Sequence, residues 1–390
     1  MKIVVRVKLM PDAGQASALE RTLSAANEAA NRVSVVAFER FGLRARELPL
    51  RKLCYGELKA QGFGAQAAQH IIKRTVDAYT TLRANIRNGR LGGEGSPRRR
   101  KATSEPVRFR RYAAHTYDDR CLSWNYDAQT VSIWTLDGRM KNVRFACSPG
   151  ALKQLVESRQ GESDLVFRDG KWFVTATCEV PEAPQFAPKD WIGVDRGVVN
   201  LATTSDGDNY QGRRLDRYRR WQARKRAELQ AKKTRSAKQL LHKRARREAR
   251  HATYINHAVS KQVVVVAART GRGIAVEELS GIRGRVTVPR DQRARLSSWP
   301  FHRLGQFLAY KARRAGVPFL EVDPAYTSQH CPRCGHTERA NRPDRDTFRC
   351  RRCGLAGPAD HVAGVNVRQR ARSAWVFVNM PEPAPAKANG

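Results

Sequence analysis

The spacing of apolar positions changes several times along the chain, and each change predicts a different kind of element. Residues 2–9, KIVVRVKL, alternate apolar and polar side chains as a strand does. Pro11 and Asp12 then open AGQASALERTLSAANEAANRVSVVAFERFG, whose alanines and leucines recur at helical spacing, and helical pattern continues to about residue 86. The Gly-rich, basic stretch NGRLGGEGSPRRRKATSEP, residues 88–106, breaks that pattern and reads as an exposed loop or hinge. From there to about residue 180 short alternating runs, CLSWNYD, TVSIWTLDG and LVFRDGKWFVTATCEV, are separated by Asp-Gly turns. These are hairpins, and they predict a small antiparallel sheet or barrel. The first strand stands alone before the helices, so the simplest arrangement pairs it with this later sheet and makes the helical block an insertion. PEAPQFAPKD follows as a linker, and no internal repeat is visible.

After the linker the strands become wholly apolar and end in acids. WIGV runs into Asp195, a Gly-containing turn follows, and VNLATTS is a second strand. GRGIAVEELSGI gives a buried strand ending in Glu277, VPFLEVDP gives another, and Pro358 and Asp360 open a helix in ADHVAGVNVRQRARSAW. Two acids at strand ends and one at the start of a closing helix are the ingredients of an RNase H-like α/β fold. Singly each has an ordinary explanation, a solvated strand end or a helix N-cap. Together they suit phosphodiester hydrolysis, in which one divalent ion activates water and a second, about 3.5–4 Å away, stabilises the leaving oxygen. Magnesium takes hard oxygen ligands and keeps several waters, so a few clustered carboxylates suffice.

Charge narrows the choice of partner. The 390 residues carry a formal net charge of +37, far beyond what solubility needs, which predicts a polyanionic partner and first of all nucleic acid. The longest apolar runs, such as QVVVVAA, are too short to span a bilayer, and MKIVVRVKLMPDAG has the wrong build for a signal peptide. Between Arg213 and Arg250 there are 17 Lys or Arg against 3 Asp or Glu on a helix-favouring background. Like charges at i,i+4 repel, and a polyphosphate partner would remove the repulsion. Arg219, Arg220, Arg224, Lys225, Arg244, Arg246, Arg247 and Arg250 are the candidate contacts in this stretch, while Trp221 and Tyr254 read as packing residues, with base stacking the alternative.

Four of the eight cysteines fall in one window. Cys331-x2-Cys334-x15-Cys350-x2-Cys353 has the spacing of a four-thiolate zinc site, closed and therefore structural. His330 and His336 flank it as surface groups or neighbours of the ligands. Cys54, Cys121, Cys147 and Cys178 are scattered and read as reduced core thiols of a cytosolic protein.

GVDRGVVNLA, IAVEEL, DPAYTSQHCPRCGH and ADHVAGVNV, in this order, resemble the split RuvC motifs and inserted zinc ribbon of the TnpB proteins, transposon-encoded RNA-guided DNA endonucleases related to compact type V CRISPR effectors. The resemblance covers at least residues 190–370. It implies catalytic acids at Asp195, Glu277 and Asp360, with Glu278 the adjacent alternative. Where the family commonly has Asp, an apolar residue and Asn-Ala-Ala before a second Asn, this chain has Asp360, His361, Val362, Ala363, Gly364, Val365 and Asn366.

The expected architecture is multidomain α+β. A β-barrel wedge domain (1–10 and 107–182) carries a helical recognition lobe (11–106). An RNase H-like RuvC nuclease domain (188–328 and 355–378) includes basic helices over 213–260 and a zinc-ribbon insertion (329–354), and a disordered tail occupies 379–390. The expected function is RNA-guided cleavage of DNA at a two-magnesium site held by the three acids, with one structural zinc on the four cysteines. The partners would be a guide RNA and target DNA, with one or two copies on one RNA, in a prokaryotic cytoplasm near the nucleoid. Two other readings stay open: a guided binder that represses without cutting, and a structure-specific nuclease without a guide.

Overall fold

Strand β1, Lys2–Leu9, buries Val5, Val7 and Leu9 and exposes the residues between them, as its alternation requires. The computed structural model describes residues 1–197, 199–279 and 301–378 and divides into two compact units, Met1–Val180 and Pro181–Gly390. Residues 280–300, within the expected nuclease span, and the expected tail 379–390 lie outside the described residues.

In the first unit β1 is followed by helices α1 (Ala13–Phe41), α2 (Glu47–Ala60), α3 (Ala65–Arg87) and α4 (Pro97–Ser104). Asp12 caps α1 in a reciprocal box with Gln15, whose backbone N–H bonds the Asp12 carboxylate at 2.8 Å. Alanines 26, 29, 30 and 37 let α1 approach its neighbours closely around Leu50, Ile71, Ile72 and Tyr79. Strands β2 (His115–Tyr117), β3 (Leu122–Asn125), β4 (Thr130–Thr135) and β5 (Gly138–Ala146) follow, then α5 (Pro149–Ser158), β6 (Arg159–Arg168) and β7 (Lys171–Glu179). They form one antiparallel sheet in the order β2-β6-β7-β1-β5-β4-β3. β1 therefore lies in the middle of the sheet, and the helices leave and return from it as an insertion.

Three details differ from the expected picture. The edge strands β2 and β3 are not paired with each other, so the expected barrel is a nearly closed sheet. The break at 88–106 contains α4, started by Ser96 accepting from the Arg99 N–H with Pro97 in the first turn. The run between the hairpins contains α5, started the same way by Ser148 and Pro149.

The second unit holds β8 (Trp191–Asp195), β9 (Asn200–Thr204), β10 (Asn209–Gln211), α6 (Arg213–Ala231), α7 (Arg235–Thr270) and β11 (Gly273–Glu277). It continues with α8 (Phe301–Arg314), β12 (Phe319–Val322), β13 (Thr347–Arg349), β14 (Ala356–Pro358) and α9 (Ala359–Val378). Five strands form a mixed sheet in the order β10-β9-β8-β11-β12, antiparallel among the first three and parallel across β8, β11 and β12. β8 and β11 are apolar throughout because both faces are covered. Val259, Val263, Val264 and Leu308 of α7 and α8 cover one face, and Val367, Ala371 and Trp375 of α9 cover the other.

Contact between α9 and β8 is backbone to backbone. A Cβ placed on Gly193 would lie 2.0 Å from the Gly364 carbonyl oxygen, so no side chain fits there. That close approach sets the start of α9 beside the end of β8. At Gly364, where this chain departs from the family's Asn-Ala-Ala tract, an added Cβ would lie 3.1 Å from the Ser205 backbone nitrogen, a tight contact with the end of β9.

Candidate functional site

β8 and β11 run parallel with Val194 opposite Val276, so the next residue of each, Asp195 and Glu277, emerges at the same sheet end. Glu277 is buried, whereas Glu278 is exposed and spends its backbone N–H on Val322. The alternation of the strand thus separates the two adjacent acids, and Glu277 is the one aimed at Asp195. Asp360, in the first turn of α9, completes the group, with its carboxylate accepting from Asn200 Nδ2 at 2.8 Å.

The electrostatics are those of negative charge crowded into little water. Burial, followed by the neighbouring charges of Glu277 and Asp360, pushes the Asp195 carboxyl well above the usual carboxylate range. Burial also raises Glu277, against hydrogen bonds from Thr327 and Asp195 and the positive field of Arg196. Two arginines oppose the crowding. Arg196, 6 % exposed, donates to the Glu277 carbonyl oxygen. Arg342 lies 3.4 Å from Asp360. Carboxyls crowded in this way are oxygen donors of the hard kind that divalent cations such as magnesium take as ligands.

Around the four cysteines the geometry is tighter. All four sulfurs lie within 4.8 Å of one another, the only such group of metal-binding side chains among the described residues, and the carboxylates are spread wider. The Cys331–Cys353 and Cys334–Cys350 separations are 3.5 and 3.6 Å. A tetrahedron with metal–sulfur bonds of about 2.3 Å has edges of roughly 3.8 Å, so the thiols fit zinc with little movement. Each C-x-x-C turn closes through a glycine with left-handed backbone: Gly335 (φ 74°) bonds back to Cys331, and Gly354 (φ 72°) to Cys350. The second turn sits at the tip of the β13–β14 hairpin, whose outgoing strand runs directly into α9.

The basic run forms two helices, and its arginines divide between two environments. Arg219 is half-buried between α6 and α7, where burial lowers its pKa and the carboxylates of Glu248 and Asp216 pull it back. Arg244 is half-buried with its guanidinium 4.5 Å from the centroid of the Trp221 ring. Trp221 is nonetheless 39 % exposed and Tyr254 72 % exposed, so neither is the buried packing residue expected, because both lie on the outer surface of the basic helices. Arg220 pairs with Asp216 at 3.1 Å and Lys225 with Glu228 at 2.8 Å. Arg224, Arg246, Arg247 and Arg250 are exposed. Charge density alone could not separate the seam from the outer face.

This division gives a direct test. Replacing Arg224, Arg247 and Arg250 together by glutamine is expected to flatten the slope of log affinity against log salt for nucleic acid by about two to three units, about one per lost contact. Affinities measured at several salt concentrations check it, and an unchanged slope would make this face a solvated one.

Sequence reading had not singled out Arg342, Asn200, Arg196 or Thr327. Asn200, Arg196 and Thr327 all lie inside the motif stretches GVDRGVVNLA and DPAYTSQ, which is the signal that could have found them. Arg342 comes from a loop, and nothing local predicts its partner.

The fold and these two centres define a mixed α+β protein with a cysteine knuckle and a clustered carboxylate site in a strongly basic chain. A family model described as a probable transposase matches residues 175–280, and one described as a Cas12f1-like TNB domain matches 301–367. A TnpB-like protein of Methanocaldococcus jannaschii is 30% identical over 272 residues, which is 66% of this chain and 96% of that protein. The chain belongs to the TnpB family. A CRISPR-associated endodeoxyribonuclease Cas12f1 of Sulfoacidibacillus thermotolerans is 38% identical over 114 residues, 29% of this chain. The chain spans only 25% of that relative and 40% of a second Cas12f1, from Syntrophomonas palmitatica. Among solved structures, that of a mini-RNA-guided endonuclease, CRISPR-Cas phi3, overlaps 99% of this chain and 94% of its own at a TM-score of 0.49 and 12% identity. No helix among the described residues is long and apolar enough to cross a membrane.

Proposed function

We propose that this protein is an RNA-guided DNA endonuclease that hydrolyses phosphodiester bonds at Asp195, Glu277 and Asp360. The observation that carries the reading is the gathering of those three acids, from positions 195, 277 and 360, at one end of the five-stranded sheet. The sheet order, with three antiparallel strands and then two parallel ones, supports an RNase H-like RuvC domain around them. The knuckle and its hairpin are read as a zinc ribbon inserted before the third acid, and the first unit as a wedge sheet with a helical recognition insertion. The names of the relatives support the same activity.

When bound, divalent cations supply Lewis-acid activation of water and neutralise charge at the leaving oxygen. The chain's own contribution is placement. Asp195, Glu277 and Asp360 would hold the cations. Asn200 fixes the rotamer of Asp360. Arg342, which reaches the same carboxylate from the ribbon side, would also meet the phosphate of a strand lying against the site. The exposed arginines of α6 and α7 would follow nucleic-acid backbone and leave sequence to base pairing.

Purification with its co-purifying RNA tests the reading. The expected result is a discrete bound RNA whose guide segment, when replaced, redirects magnesium-dependent cutting to the matching DNA in a plasmid library. Redirected binding without cutting would make the protein a guided repressor. Cutting that persists without RNA would make it a structure-specific nuclease.

A further inference from the structure

The segment between β12 and the first knuckle cysteine turns back on itself with an unfavourable backbone. Tyr326 has φ 59° although it is neither glycine nor asparagine, and the N–H groups of Gln329 and His330 both donate to its carbonyl, at 2.9 and 3.0 Å. Such a turn needs bracing from outside. The brace is Asn366 of α9, 1 % exposed, whose side-chain nitrogen donates to the main-chain carbonyls of Thr327 at 2.7 Å and His330 at 2.8 Å. Its Oδ1 has no hydrogen-bond partner among the described residues, so the buried amide is held for its two donors. Thr327, 3 % exposed, reaches the other way, and its hydroxyl donates to Glu277 Oε1. Cys331 follows His330 directly, and Gln369 of the same helix face donates to the Pro332 carbonyl at 3.2 Å.

We propose that Thr327 and Asn366 are positioning residues that join the cysteine knuckle to the carboxylate of Glu277, so that divalent-cation affinity at the acid site depends on the folded knuckle. This rests on the nuclease reading only in taking the acids as cation ligands. With the knuckle intact, His330 is fixed, Asn366 can satisfy both carbonyls, and the strained turn keeps the Thr327 hydroxyl on Glu277. When the knuckle opens, the His330 carbonyl is released, the backbone at Tyr326 can relax, and Glu277 loses the donor that selects its rotamer. Groups that orient a metal ligand commonly change cation affinity by 10- to 100-fold when removed.

The test uses the full chain free of RNA, with manganese as the probe, titrated by electron paramagnetic resonance, and Asp195→Ala as the baseline for nonspecific sites. Thr327→Val keeps the shape and removes the hydroxyl. It should retain about one zinc by metal analysis and bind manganese about tenfold more weakly, and Thr327→Ser should restore the affinity. Asn366→Ala should weaken manganese binding similarly, and the double variant should be no worse than the weaker single, because both act through one link. If Asn366→Ala fails to fold, the Thr327 pair decides alone. Unchanged manganese affinity in Thr327→Val overturns the link even where guided cutting persists. Weakened affinity restored by serine sustains it even if the wild type cuts no DNA, which would refute the nuclease reading instead.

Discussion

Alanine at Asp195, Glu277 or Asp360 is expected to lower DNA cleavage by at least about 10³-fold, the order lost when one member of a catalytic set that works as a unit is removed. Binding to the matched target should stay nearly constant, because on the proposed function affinity would come from phosphate contacts elsewhere on a chain of net charge +37. Cleavage and binding assays on the same preparation, with magnesium, check both halves. Undiminished cutting by Glu277→Ala would move the role to Glu278, against its exposed position. A stability readout accompanies this. Burial and the neighbouring acids raise the Asp195 carboxyl in the folded state, so its ionised form opposes folding at neutral pH in the absence of cation. The folded protein therefore loses stability as pH rises from the ordinary carboxylate range, about 4, toward the raised value. Asp195→Asn should unfold at a higher temperature than the wild type in chelator at pH 7.5, with the advantage fading toward pH 4. A variant that gains stability while losing activity would mark Asp195 as kept for function.

How much of this could be read from residues alone follows from the range of each signal. Strands with a clear period of two and Asp-Gly turns were legible, as the β6–β7 hairpin with its turn at Asp169 and Gly170 illustrates. The apolar runs before Asp195 and Glu277 were legible for a different reason, since a strand covered on both faces needs no polar side. α4 and α5, of 8 and 10 residues, were missed because two or three turns give too short a sample of helical period, although each is announced by a Ser-Pro pair. In the basic helices the charges repeat too evenly to reveal a seam, so Arg219 and Arg244 looked like Arg224 and Arg247 until the helices were paired. The convergence of the acids was an expectation from motif order, and its geometry required the register of β8 on β11 and the contact of Gly193 with Gly364.

Serine at Cys334 or Cys353 is expected to remove about one zinc per chain and to lower cleavage about 10- to 100-fold, with a smaller loss of target binding. The asymmetry comes from what the knuckle holds. Its second turn closes the β13–β14 hairpin, and the β14 strand passes into α9 one residue before Asp360. The first backbone N–H of that helix, at Ala359, donates to the Asp346 carbonyl at 2.8 Å, so the hairpin caps the helix that carries the third acid. Arg342 sits in the same insertion and reaches Asp360. Opening the four-thiolate site would release the hairpin, the cap and the arginine together, all of them beside Asp360. The exposed arginines of α6 and α7 lie on elements that make none of these contacts, so any affinity they supply for nucleic acid should be kept. Metal analysis, cleavage rate and target affinity measured on one preparation decide the matter. Loss of affinity ahead of cleavage would place the knuckle in the recognition surface and not behind the acid site.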